Sequence, residues 1–390
     1  MIKDVIYLDN SATTPLSEAA MRGIALGAET YGNPSSLHTA GQDAERLVKH
    51  AREQILLCLG LRPRQKDGVL VFTSCGTEAS STALFGTAYA KKRRDANRIL
   101  TTDSEHPSVA RVMDKLEEEG FEVVRISTAR GVLDLEEIKR ALDKKIFLAS
   151  FMLVNNETGA IYNVAEAFRL IKQKYPDAVT HCDAVQGFMK IRFSPATLGA
   201  DLITVSAHKI HAPKGVGALY ISAPLLRAKK IAPFMLGGGQ EDGLRSGTEN
   251  VIGITAFGAS AEDIRSRYGE ISEKVRDLRK YAEEKLSELD VRINRPAGDY
   301  LPNIINITLP NIKSETMLHA LSAKGIMVSS GSACSSHSKS VSSSLIAFGL
   351  SEREADCSLR ISLSEYNCES HIDALCDALS QELDRLVKIK

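Results

Sequence analysis

Through the first two-thirds of the chain, short apolar runs alternate with longer amphipathic stretches. The runs at 69–72, 98–101, 123–126, 147–154, 179–183, 202–206 and 218–221 are nearly continuous in hydrophobicity, as strands buried on both faces are. Most are separated by enough residues for a crossover helix, the rhythm of parallel strands. The pattern predicts an α/β fold: a mainly parallel seven-stranded sheet with helices on both faces, forming a large domain over residues 15–260. From about Ala261 the period changes. Ile264, Tyr268, Ile271, Val275, Leu278, Ala282, Leu286 and Leu289 recur at steps of three and four, which predicts one long helix with a single apolar stripe. It leads into a smaller α+β domain of residues 261–390, joined by 1–14, with strands at 304–309 and 359–363 and a last helix at about 370–387.

One segment fits neither period. Residues 329–344 carry serine at ten of sixteen positions, too little apolar surface to pack, and are predicted to be a mobile loop.

Composition narrows the class. At 390 residues the chain exceeds what a single core usually organises, and 43% hydrophobic with 25% charged residues is ordinary for a soluble protein. Lys plus Arg and Asp plus Glu both number 49, so no overall field favours nucleic acid or an anionic membrane. The basic run Lys91, Lys92, Arg93, Arg94 reads as a solvated helix end rather than a grip on an acidic partner. No secretory leader pattern is visible at the start, and no apolar run approaches the ~18 residues of a membrane span. Seven scattered cysteines without a C-x-x-C pair suggest neither a disulfide framework nor a zinc site. A reducing cytoplasm is the expected location.

Three constellations carry candidate chemistry. In Phe-Thr-Ser-Cys-Gly-Thr-Glu at 72–78, a strand ends and a helix begins; Gly76 and Thr77 there offer backbone and hydroxyl donors to a phosphate, or Thr77 simply caps the helix. In Ser-Ala-His-Lys at 206–209, Lys209 stands at the mouth of a strand, where α/β sheets bind ligands, and can form an imine; Ser206 and His208 add donors. Asp183 ends a buried strand, a costly place for a carboxylate unless it meets a cation such as a pyridinium, and Gln186 follows three residues later. Asp183 serves equally as a helix cap when read alone. A phosphate loop, a strand-end Asp and a strand-end Lys on one sheet together suit pyridoxal 5'-phosphate.

Those residues sit among longer motifs. Tyr-Leu-Asp-Asn-Ser-Ala-Thr-Thr-Pro at 7–15, Gly-Asn-Pro-Ser at 32–35, Glu105-His106, Val-Asn-Asn-Glu-Thr-Gly at 154–159, His208-Lys209, Arg-Ser-Gly-Thr-Glu-Asn at 245–250 and Ser-Gly-Ser-Ala-Cys-Ser at 330–335 occur in order from about residue 5 to 365. The chain resembles the cysteine desulfurases, the NifS/IscS branch of class-V aminotransferases, whose fold is the fold-type I pyridoxal-phosphate architecture. The resemblance implies that Lys209 carries the cofactor covalently, Asp183 pairs with its ring nitrogen, and His106 stacks on the ring and shuttles protons. Gln186 and Asn156 would contact the ring oxygen or the substrate. Gly76, Thr77, Ser206 and His208 would hold the phosphate, with Thr248 of the other subunit of a homodimer. Arg360 would clamp the carboxylate of L-cysteine, a bidentate task suited to a guanidinium. Cys334 would take the sulfur as a persulfide and pass it to an acceptor protein of iron–sulfur assembly or of thiolation chemistry, leaving L-alanine.

The chain departs from the family at several points. Cys75 and Ala212 stand where glycine is usual, Ser80-Ser81 where Asp or Asn is common, and Asp242 replaces an arginine; 337–344 is divergent. Cys75 is expected to be packed. Two other readings accompany the desulfurase: another lyase or aminotransferase of this fold, such as a selenocysteine lyase, and an idle homologue that scaffolds partners.

Overall fold

The computed structural model describes residues 5–62, 67–90, 96–330 and 341–386. The basic run at 91–94 and the nucleophile candidate Cys334 lie outside them.

Seven strands form one sheet: β1 Gly68–Thr73, β2 Arg98–Thr102, β3 Glu122–Ile126, β4 Ile146–Met152, β5 Val179–Asp183, β6 Leu202–Ser206 and β7 Gly217–Ser222. Their spatial order is β1-β7-β6-β5-β4-β2-β3. Only β7 runs against its neighbours, so the carboxyl ends of the other six share one edge. The alternation within strands shows why their sequences lack polar faces. Val71, Ile99 and Leu202 pack with helices Gly76–Tyr89 and Pro107–Glu118, while Leu70, Phe72, Leu100 and Ile203 pack with Thr39–Cys58 and Val164–Lys174. Each such side chain, fully withdrawn from water, contributes about 1.5–3 kcal/mol.

A second, antiparallel sheet follows the order β10-β11-β9-β8, with β8 Arg292–Ile293, β9 Ile304–Thr308, β10 Ser329–Ser330 and β11 Ser358–Ser362. It has its own apolar core, in which Ile305, Ile307, Leu359 and Ile361 meet Leu375, Leu379 and Leu383 of the last helix, Glu369–Arg385. Leu8 joins this core, and Ile6–Tyr7 pairs with Ile326–Met327, so the start of the chain is stitched to its last third.

Three expectations need correction. The single long helix is two, Val251–Ser266 and Tyr268–Ser287, broken at Arg267 (φ −110°, ψ 13°). There the Ser266 hydroxyl bonds the Asp263 carbonyl and Arg267 pairs with the Asp263 side chain, competing with helical hydrogen bonding without disturbing the apolar stripe. Strand β4 stops at Met152, because the chain turns back on itself and Val154 bridges Ile161. The serine-rich segment is regular at both ends: Ser329–Ser330 is strand and Ser343–Phe348 is helix. Its middle, 331–340, lies outside the described residues. No helix among the described residues is long and apolar enough to cross a membrane.

Candidate active site

The site forms where strands end. Thr73 closes β1 and leads to Gly76; Thr102 closes β2 and leads to His106; Asp183 closes β5 and Ser206 closes β6. All four ends lie on the common carboxyl edge, where the turns into helices leave polar groups facing a crevice. A cavity of about 200 Å³ opens there. It is lined by Gly76, Thr77, His106, Asn156, Asp183, Gln186, Ser206, His208, Lys209 and Arg360, which are all the described site candidates except Thr248. Thr248 faces a neighbouring pocket with Ser74 and Arg245.

Lys209 follows β6 through a single 3-10 turn, Ala207–Lys209. Its Nζ donates to the carbonyls of Ser11 and, at 2.8 Å, Ala12. The segment 7–15 therefore supplies the acceptors that hold the amine at the cavity mouth. Gln186 Nε2 donates to the same Ser11 carbonyl at 2.9 Å. His208 is turned to Thr13 (Nδ1 to Oγ1 3.2 Å), whereas His211 faces Pro15 and Glu365, so the two histidines do not converge on a common ligand.

Asp183 is buried, and its Oδ1 accepts the Val185 amide at 3.0 Å. Burial pushes its carboxyl up to about 6 despite the opposing amide bond and the Lys209 charge. Such a group gains from a cation placed against it. His106 caps helix Pro107–Glu118 by accepting the Ser108 amide at Nδ1, 3.2 Å, which leaves its proton on Nε2. Burial, then the Lys209 charge, push His106 down to about 4, so the ring is neutral at pH 7.

The residues fit pyridoxal phosphate on three observations. Ser206 Oγ is buried with no hydrogen-bond partner among the described residues, beside Gly76 and Thr77 at a helix N-terminus. A Cβ on Gly217 would lie 2.5 Å from the Cys75 carbonyl carbon and 2.9 Å from the Gly76 amide, so glycine is required for β7 to lie under the anion loop. A Cβ on Gly76 would crowd Val185 (3.1 Å) and approach Ser206 (3.4 Å), filling the cradle itself. Glu78 ties this loop down, accepting from the Ser74 amide at 2.7 Å and from Arg245 Nε at 2.7 Å.

Arg360, on β11, enters the cavity from the smaller sheet. Nη1 donates to the Asn156 carbonyl at 2.9 Å and Nη2 to Asp9 Oδ1 at 2.8 Å, while Nε is buried without a partner among the described residues.

The departures from the family pattern sort by position. Cys75 is not packed away as expected: it is only partly buried and lines the cavity, because it is the N-cap of the anion-loop helix. Ser80 is fully buried and bonds Thr204 Oγ1, and Ala212 is buried. Asp242 sits exposed on a turn at φ 56°, next to Glu241, which is buried and holds Arg52 and the Phe72 amide.

Sequence reasoning assigned no role to Asp9, Ser11, Glu157 or Lys190. Lys190 Nζ donates to Gln186 Oε1 at 3.2 Å, and burial with the Lys209 charge pushes it down to about 7. Asp9, Ser11 and Glu157 lay in recognised motifs, the available signal; Lys190 had none.

The fold and the site together define a pyridoxal-phosphate enzyme. The aminotransferase class-V family model matches residues 6–375, and the chain belongs to that family. Its relatives include a cysteine desulfurase of Trichormus azollae, 38% identical over 386 residues and covering 98% of this chain and 94% of that one. The cysteine desulfurase IscS of Dictyoglomus turgidum is 36% identical, with 99% and 96% covered. A solved NifS-like protein superposes with a TM-score of 0.90 at 36% identity, over 98% of this chain and 100% of that one.

Proposed function

We propose that this chain is a cysteine desulfurase that transfers the sulfur of L-cysteine to Cys334. The observation that carries the reading is the gathering of Lys209, Asp183, His106 and Arg360 around one cavity beside the Gly76–Thr77 cradle. Bound at Lys209, pyridoxal phosphate supplies an electron sink for the pair left on the substrate's α-carbon when its proton departs.

The chain's own groups do the rest. Gly76, Thr77, Ser206 and His208 take the phosphate, and Asp183 keeps a negative charge against the ring nitrogen. Arg360 receives the substrate carboxylate through its planar fork. Lys209, whose Nζ donates to the Ser11 and Ala12 carbonyls, would carry the α-proton. His106 offers a neutral face and an Nε2 proton. Gln186 and Asn156 border the place the substrate would occupy. Cys334 acts as a thiolate, the nucleophilic form, on the substrate sulfur. Its attack forms an S–S bond and breaks the substrate C–S bond; L-cysteine plus Cys334–SH gives L-alanine plus Cys334–S–SH, with no outside oxidant.

This reading extends to a homodimer in which Thr248 serves the other subunit's phosphate. In it the chain is cytoplasmic and passes its sulfur to an acceptor protein of iron–sulfur assembly or thiolation. The seven-stranded sheet and the smaller sheet act as separate domains, at 15–260 and at 1–14 with 261–390.

The test is direct. Purified protein loaded with pyridoxal phosphate is incubated with L-cysteine and dithiothreitol. Equal amounts of alanine and sulfide, lost in Cys334→Ala, are expected. Activity that survives this substitution, or a keto acid product, would replace the proposal with a lyase or an aminotransferase.

A further inference from the structure

We infer that Glu157 is a positioning residue for sulfur transfer, fastening the chain that returns from Cys334 to the clamp that also fixes the chain leading to it. The inference rests on the desulfurase reading and adds a residue to it.

Both limbs converge on Arg360. On the outgoing side, Ser329 pairs with Arg360 and Ser330 with Leu359 in the smaller sheet, four residues (334 − 330) before Cys334. On the returning side, eight residues (342 − 334) after Cys334, the Ser342 hydroxyl donates to Glu157 Oε2 at 2.7 Å. Ser342 also caps the next helix by accepting the Leu345 amide at 3.2 Å, and the Ser344 hydroxyl donates to the Ser104 carbonyl at 3.2 Å. Glu157 follows Asn156, whose carbonyl accepts from Arg360 Nη1. A continuous covalent and hydrogen-bonded path thus runs from Ser342 through Glu157 and Asn156 to the guanidinium.

The Glu157 side chain is not needed to shape its own turn. Asn155 Oδ1 already accepts from the Glu157 amide, the Thr158 amide and the Thr158 hydroxyl, and the Glu157 carbonyl accepts from Asn306. A buried carboxyl group is costly, and burial pushes this one up to about 7 against the Ser342 hydrogen bond and the Arg360 charge. Its side chain is met by the hydroxyls of Ser342, 185 residues away, and of Ser344, both on the segment returning from the nucleophile. Substrate binding and proton movement use Lys209, Asp183 and Arg360. Among the described residues the Ser342 and Ser344 hydroxyls bond to none of these three, and the limb they belong to leads back to the thiol.

The experiment compares holoenzyme of wild type, Glu157→Ala, Glu157→Gln and Ser342→Ala in single turnover with L-cysteine. One readout is the absorbance change of the bound cofactor; the other is persulfide on Cys334, counted by alkylation and mass spectrometry. Glu157→Ala is expected to keep the half-saturation of the absorbance change within about twofold and to slow persulfide formation roughly 10–100-fold, the worth of one hydrogen bond to a charged group. Ser342→Ala should reproduce that deficit, which serves if the Glu157 variants fold poorly. Glu157→Gln keeps an acceptor for Ser342 and should recover most of the rate. Wild-type persulfide rates in Glu157→Ala and Ser342→Ala, or loss of the absorbance change together with the persulfide, overturn the inference. If wild type forms no persulfide on Cys334, the desulfurase reading itself fails, a different result.

Discussion

Arg360 Nη2 donates to Asp9 Oδ1 at 2.8 Å, joining a strand of the smaller sheet to the segment that also supplies the Ser11 and Ala12 carbonyls to Lys209. The pair brings both ends of the chain to one cavity. Its guanidinium is largely buried, so its planar orientation is set by Asp9 on one side and the Asn156 carbonyl on the other. Arg360→Lys keeps the charge and loses the fork. Steady-state kinetics should show KM for L-cysteine rising about 10–100-fold, with the cofactor still retained. An unchanged KM would assign Arg360 to structure alone.

Much of this was legible in the sequence because buried parallel strands announce themselves as continuous apolar runs. Strands β5 and β6 begin and end at the predicted residues, and their last residues, Asp183 and Ser206, are site residues. The one-residue break at Arg267 was not legible, since the apolar stripe continues through it. Nor were the pairings of Asp9 with Arg360 and Ser342 with Glu157, which join segments 351 and 185 residues apart and have no local signature. Lys190 was missed for a different reason: its partner Gln186 is only four residues away, but nothing in Met-Lys-Ile at 189–191 marks the pairing.

Asp183 should matter through charge. Asp183→Asn keeps the size and removes the carboxylate that faces the ring nitrogen in the proposed complex. Breaking a buried charge pair costs about 3–5 kcal/mol, which corresponds to roughly 10²- to several-10³-fold weaker retention of pyridoxal phosphate in equilibrium dialysis. Equal retention by the variant would remove the pairing from the account.

His181 makes stability fall in acid. It is fully buried between Ser150 Oγ (2.8 Å) and Thr204 Oγ1 (3.0 Å), and burial pushes it down to about 3. The unfolded chain takes up this proton near pH 6.5 and the folded chain does not. Its stabilising contribution is therefore complete above 6.5 and lost as pH falls toward 3. Urea unfolding from pH 7 to 4 should show a slope in which His181→Gln removes up to about 1.4 kcal/mol per pH unit. Identical slopes would contradict this.

Glu105 has the opposite sign. Its Oε1 accepts from Thr102 Oγ1 and the Met152 amide, both at 2.8 Å, while Oε2 is buried without a partner among the described residues. Burial pushes it up to about 8. The fold favours the neutral acid, so its contribution is full below about 4.5 and lost as pH rises toward 8. Glu105→Gln should melt higher than wild type at pH 8 and no higher at pH 4, by calorimetry. A lower melting temperature for the variant at both pH values would refute the neutral-acid assignment.

The destination of the sulfur tests the central claim most directly. Cys75 lines the same cavity as Lys209, and Cys368 is exposed, so the chain offers more than one thiol. The holoenzyme, given one equivalent of L-cysteine labelled at sulfur and alkylated at once, is digested and sequenced by mass spectrometry. The account predicts the labelled sulfur on the peptide containing Cys334, at close to one atom per chain. Label on Cys75 or Cys368 instead, or on no cysteine while alanine accumulates, would contradict it.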